Sequence, residues 1–252
     1  LIARIARVKP KGVVLEASGG YERLAFEALH NAGQSVTIAQ PGCVKHYAKS
    51  IKVLAKTDKI DAQVIARFGE ATQPDPTPPT PENTRKFRAL CDRRTQVVED
   101  RVRESNRLET CADAHMREHI QLHRNHLKAL EKDLDRRINA AAKTDTLFQR
   151  KIEVMTRLKG VGEKTACALL AHFPELGTLS KQEVAALAGV APHPQESGTW
   201  RGKRRIRGGR GAVRKAMYMA AKTAARCCPV ISEFYKRLNA NGKQYNVALT
   251  AC

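Results

Sequence analysis

The chain has 252 residues, with 45 Lys and Arg against 25 Asp and Glu, a formal charge of +20 at pH 7. That balance excludes an inert acidic or neutral scaffold and favours polyanionic partners, nucleic acid first, through release of condensed counterions. Hydrophobic residues at 42% can fill a core, while no run approaches the roughly 18 uncharged apolar residues of a spanning helix, so no membrane partner is expected. Arg4, Arg7, Lys9 and Lys11 break up any signal-peptide core, and a soluble cytoplasmic protein is expected. Cys43, Cys91, Cys111, Cys167, Cys227, Cys228 and Cys252 form an odd set with no C-x-x-C pair, which points to reduced thiols rather than a disulfide framework or zinc ribbon.

In chain order, Val13 to Ala17 (VVLEA) reads as a buried strand, Tyr21 to Ala32 as an amphipathic helix and Ser35 to Ala39 (SVTIA) as a second strand. Helical segments follow around Val44 to Leu54 and Lys59 to Glu70. Strands alternating with helices predict an α/β layer with parallel strands over residues 1–73. Five of the chain's eleven prolines fall between Pro74 and Pro81, which forbids helix and predicts an extended linker over 74–81. From Glu82 to Lys143 there is neither proline nor glycine, and apolar residues recur at three and four. A long helical hairpin or coiled coil is expected over 82–146. Residues 147–252 read as helices punctuated by glycine.

Glu16 sits near the end of the first strand, and Asp58 and Asp61 lie three apart in KTDKIDA, a spacing that places both on one helical face. A strand acid facing two helix acids suits Mg²⁺, which takes a few carboxylates and keeps water and phosphate as its other ligands. The plainer alternative makes Asp58 an N-cap and Asp61 its N3 acid. In LKGVGEKTACALL, Gly160 and Gly162 let the backbone turn and expose N–H groups at a helix start, with Lys164 just inside it. That pattern fits a phosphate-docking helix-hairpin-helix or an ordinary helix-helix turn. Between Gln195 and Lys215 stand Arg201, Lys203, Arg204, Arg205, Arg207, Arg210, Arg214 and Lys215 against Glu196 alone, interleaved with glycines. This is a loop or twisted ribbon whose cations can follow a nucleic-acid backbone while Trp200 stacks on a base. Ser197 lies beside it; taken alone, a Ser-Gly in a loop is an ordinary turn residue. Cys111, His115, His119 and His123 are spaced by four on one expected helix. A straight helix cannot wrap four ligands round one ion, so a polar seam of the hairpin is the better reading.

In this order the motifs resemble the transposases of the insertion sequence 110 family, the DEDD recombinases. The matching stretches include VVLEASGGYERLAFEALHNAG, VTIAQPGCVKHYAKS, AKTDKIDAQVIARF, LKGVGEKTACALL, EVAALAGVAP, SGTWRGKRRIRGGRGAVRKAMYMAA and FYKRLNANGKQYNVALTA. The resemblance implies an α/β plus mostly α protein: a partial ribonuclease H or RuvC-like domain, a coiled-coil insertion and a helical C-terminal domain with a helix-hairpin-helix. It makes Glu16, Asp58 and Asp61 the second to fourth acids of a Mg²⁺ tetrad and Ser197 the nucleophile that forms a covalent phosphoserine with DNA. It also implies element ends and target DNA as substrates, a guide RNA, assembly into dimers or tetramers, and a bacterial or archaeal, nucleoid-associated setting. The first Asp and three strands of the sheet are expected before Leu1, and the last helix is expected to continue past Cys252, so this copy is expected to be poorly stable and inactive. Two alternatives stay open: an inactive nucleic-acid-binding remnant, and a metal-dependent, structure-selective DNA nuclease.

Overall fold

A computed structural model describes residues 2–53, 55 and 57–252. Leu1, Leu54 and Lys56 lie outside the described residues, and with them the end of the expected Val44 to Leu54 helix and one residue of the AKTDKIDA stretch. The chain divides into two compact units, residues 1–81 and 82–252.

The first unit holds α1 (Ile2–Val8), β1 (Val13–Glu16), α2 (Arg23–Asn31), β2 (Val36–Ala39), α3 (Pro41–Ser50) and α4 (Asp58–Thr72). β1 and β2 pair in parallel with Val13 opposite Val36 and Glu16 opposite Ala39, and α2 is the crossover between them. Side chains leave a strand on alternate faces, and the packing follows that rule. Val13 and Leu15 join Phe26, Leu29 and Val36 on the α2 side, whereas Val14 joins Val44 and Val64 on the α3 and α4 side. Gly69 lets α4 lie directly on β1, for a Cβ there would stand 2.6 Å from Val14 Cγ2. The proline segment is extended but not free. Thr77 N–H donates to the Val36 carbonyl at 2.9 Å, and Ile38 N–H donates to Thr77 Oγ1 at 2.9 Å. The expected linker thus covers the outer edge of β2, where an exposed row of backbone groups would invite pairing with another chain.

In the second unit, α5 (Glu82–Thr110) and α6 (Ala114–Thr144) form the expected hairpin. It breaks at residues 111–113 because the Asp113 carboxylate accepts from Met116 N–H at 2.8 Å, starting a new helix. Cys111 therefore sits in the turn, not on one helix with His115, His119 and His123, which corrects the expected stripe. The seam is polar as well as apolar. Val97 and Leu127 are buried in it, Arg94 bridges Glu131 and Asp135, and Arg101 also reaches Glu131. Glu104, 5% exposed, pairs with Arg107 and with His123 Nδ1 at 3.3 Å.

The base of the hairpin shares a core with the helices that follow, α7 (Thr146–Thr156) and α8 (Glu163–His172). Phe87 meets Phe148 with ring centroids 5.0 Å apart, beside Cys91, Ile138, Cys167 and Leu170. The boundary expected at 146/147 is consequently bridged by packing. Next come α9 (Lys181–Ala188), β3 (Pro192–His193), β4 (Glu196–Ser197), β5 (Trp200–Arg201), β6 (Arg205–Ile206), α10 (Gly211–Cys227), α11 (Pro229–Ala240) and α12 (Tyr245–Ala251). The chain is mostly helical with few strands, and among the described residues no helix is long and apolar enough to cross a membrane.

Candidate nucleic-acid interface

The basic stretch forms two nested two-stranded ladders: β3 pairs antiparallel with β6, and between them in the chain β4 pairs antiparallel with β5. Glycine makes the tip possible. Gly198, at φ +55°, opens a two-residue turn between Ser197 and Trp200. Ser197 is thus the last strand residue before the tip, and not part of the turn itself. Glu196 lies opposite Arg201, and their side chains form an ion pair of 2.6 Å on one face. By the two-residue period Ser197 and Trp200, the adjacent cross-strand pair, share the other face. Ser197 is exposed, and its hydroxyl has no hydrogen-bond partner among the described residues. Trp200 folds over Gly202, yet 59% of its surface stays open to solvent.

The eight cations of this stretch divide into two sets. Arg210 grips both carboxylate oxygens of Glu175 at 2.6 and 2.7 Å, donates to the His172 carbonyl at 3.0 Å and lies 5.7 Å from the Phe173 ring centroid. The hydrogen bond to Arg210 holds the Glu175 carboxyl below its ordinary range, and the same bond raises the pKa of the guanidinium. Arg214 donates to the Gly208 carbonyl at 2.8 Å, and Lys215 pairs with Glu99 at 3.1 Å. Arg210 N–H also donates to the Leu187 carbonyl at 2.7 Å, so the segment from Gly208 to Arg214 is the ribbon's anchored root. Arg201 is tied to Glu196 as above. The side chains of Lys203, Arg204, Arg205 and Arg207 are exposed and make no ion pair or hydrogen bond among the described residues.

At the glycine turn between α7 and α8, packing requires one of the two glycines. Gly160, at φ +109°, faces α10 so closely that a Cβ would lie 2.7 Å from Ala224 N, while Gly162 is the N-cap of α8. Lys164 is held by Asp135 at 2.6 Å.

In the first unit, Thr57 and not Asp58 caps α4, accepting from Ile60 N–H at 3.3 Å. Asp58 is therefore the first helical residue and exposed; Asp61 is half-buried. Glu16 is half-buried at the end of β1, and strand alternation turns it toward the α4 side. Among the described residues no three His, Cys, Asp or Glu stand close enough to hold one metal ion, so Glu16, Asp58 and Asp61 do not converge, and the Cys111 and histidine stripe does not either.

One feature escaped sequence reading. After β1, the Glu22 carboxylate accepts from Ser18 N–H at 2.9 Å, Gly20 N–H at 2.9 Å and Ser18 Oγ at 3.0 Å. Partial burial opposes its charge, but these bonds and one from its own N–H prevail and hold its pKa at about 2. The signal was present in SGGYE, where paired glycines precede an acid.

Known proteins converge on one family. Residues 1–117 match the DEDD transposase model of IS110, and residues 152–236 match the model of the IS116/IS110/IS902 transposase family. The chain belongs to the IS110 family of transposases. It is 28% identical over 236 residues to the pilin gene-inverting proteins of Moraxella bovis and Moraxella lacunata, spanning 92% of this chain and 73% of each of those proteins. It is also 33% identical over 119 residues to the insertion element IS110 43.6 kDa protein of Streptomyces coelicolor, spanning 46% of this chain and 28% of that protein. Members of the DEDD type generally use divalent metal ions.

Proposed function

We propose that this IS110-family chain is a DNA recombinase that excises and inserts, or inverts, a DNA segment through a serine-linked intermediate. The observation that carries the reading is the placement of Ser197. It stands exposed beside Trp200 at the tip of a ribbon whose return limb bears four unpaired cations, Lys203, Arg204, Arg205 and Arg207. These cations draw in the phosphate backbone and offset charge on the phosphoryl oxygens, and Trp200 offers a flat face to a neighbouring base. Ser197 Oγ forms a bond to phosphorus, one P–O ester bond to the strand breaks, the serine proton passes to solvent, and the released strand end takes up a proton as a hydroxyl. One phosphate ester replaces another, so the bond energy is conserved and rejoining to a new strand end needs no energy source.

The same proposal includes Mg²⁺ as the family's ion, a guide RNA, and a dimeric or tetrameric assembly. Among the described residues the three acids do not meet in one ligand set. The unpaired cations are indifferent to sequence and serve a structured RNA as well as DNA. The inverting relatives support the recombinase reading over a simple nuclease.

The test is covalent capture. The chain, incubated with end-labelled element-end DNA, the element's RNA and Mg²⁺, is expected to form an adduct that survives denaturant. Ser197→Ala should abolish the adduct and leave DNA affinity within about twofold. An adduct of undiminished yield in the alanine variant removes Ser197 from the reaction.

A further inference from the structure

Tyr21 and Leu24, 91% and 82% exposed, are the two most exposed large apolar side chains among the described residues. An exposed aromatic on a flexible loop carries little information. This one sits on a rigid mount. Gly19 and Gly20, at φ +74° and +114°, turn the chain sharply, and the triply bonded Glu22 carboxylate locks that turn onto the start of α2. The helix cannot roll to hide Leu24, because Phe26 and Leu29 fix its opposite side in the core. Tyr21 has no ring partner and no hydrogen bond among the described residues. The corner leaves the C-terminal end of β1, the edge of a parallel sheet where ligands bind, and begins at Ser18, two residues after Glu16.

We propose that Tyr21, backed by Leu24, is a wedge that stacks on an unpaired nucleobase of DNA at the C-terminal end of β1. The proposal rests on the recombinase reading and names a second contact for the same substrate. Exchanging strands requires bases to leave their duplex stack, and a rigid aromatic that replaces the lost stacking lowers the free-energy cost of that state. The backbone under the ring loses little conformational freedom on binding because its mount is already fixed, and the ring gives up only two side-chain torsions. Arg23 beside it offers a cation to the adjoining phosphate, whereas the negative charge of Glu22 is turned inward to the loop amides. A protein partner fits less well, since two apolar side chains alone bury far less than a stable protein interface.

The experiment uses the full chain and two probes: a paired duplex, and the same duplex with one unpaired 2-aminopurine. The wild-type chain should bind the bulged duplex more tightly and quench the aminopurine. Tyr21→Ala should weaken bulge binding by roughly 5- to 150-fold and lose the quench, with the salt dependence of binding unchanged because no phosphate contact is removed. Tyr21→Phe should retain both and confirm that the mount still folds. Bulge preference and quench that persist in Tyr21→Ala overturn the proposal. Equal wild-type binding to both probes overturns it while leaving the recombinase reading intact; binding to neither removes both.

Discussion

Replacing Arg210 separates the ribbon's root from its tip. In Arg210→Ala the two bonds to Glu175, the bond to the His172 carbonyl and the contact with Phe173 are all lost. Both charged side chains are 38% exposed, so solvent screening holds the ion pair to about 1 kcal/mol despite its forked geometry. The carbonyl bond adds about 1 kcal/mol and the ring contact about 0.5 kcal/mol at a site this open. The expected cost is therefore about 2–3 kcal/mol, or roughly 5–10 °C in the melting of a unit this size. Arg210→Lys keeps the charge but cannot fork, and should recover less than half of it. Salt titrations of DNA binding should show the reverse pattern. Arg210→Ala leaves the slope of log K against log salt unchanged, whereas Arg204→Ala, Arg205→Ala and Arg207→Ala together lower it by up to about 2.7 on duplex DNA while melting stays put. A slope that falls by about one with Arg210→Ala, without loss of thermal stability, would refute the division of the ribbon.

Two further outcomes concern the first unit. Gly69→Ala places a methyl 2.6 Å from Val14 Cγ2, and the forced shift of α4 should cost about 1–3 kcal/mol, read as an earlier denaturant midpoint with an unchanged slope. Glu22 has a folded pKa of about 2 against an ordinary value of 4.5; it therefore stabilises the fold above pH 4.5, and that contribution disappears as pH falls toward 2. Glu22→Gln should flatten this part of the stability profile, and a profile identical to that of the parent chain would show that the SGGYE loop does not depend on the carboxylate.

Much of the fold was legible because local pattern and tertiary packing agree. The apolar runs VVLEA and SVTIA bracket an amphipathic helix, and they became β1, α2 and β2. Residues 82–143 contain no breaker, and they became the hairpin. The place of the turn at 111–113 was missed for the same reason: Asp113 caps the second helix without any glycine or proline to announce it. Asp58 was the cap considered from the sequence, but Thr57, one residue earlier and equally competent, takes that role. The fate of individual cations was hidden because partners lie far along the chain. Glu175 is 35 residues from Arg210, and Asp135 is 29 from Lys164. Ser197 was marked only by family resemblance, since by its neighbours alone it is a turn serine.

The structure also changes what the charge of this chain means. A formal +20 suggests a uniformly sticky surface, yet Arg94, Arg101, Lys164, Arg210 and Lys215 are spent on internal acids. The cations left unpaired in the ribbon lie on the limb that returns from Ser197. A serine hydroxyl with no hydrogen-bonded base is a weak nucleophile in water. It becomes effective where cations hold a phosphate against it and offset the charge that develops on the phosphoryl oxygens. Under the proposed chemistry the free nucleophile is therefore inert until a polyphosphate backbone occupies the ribbon. Binding and activation become one event, which suits an enzyme whose covalent intermediate would be a broken chromosome if it formed without a partner strand in place.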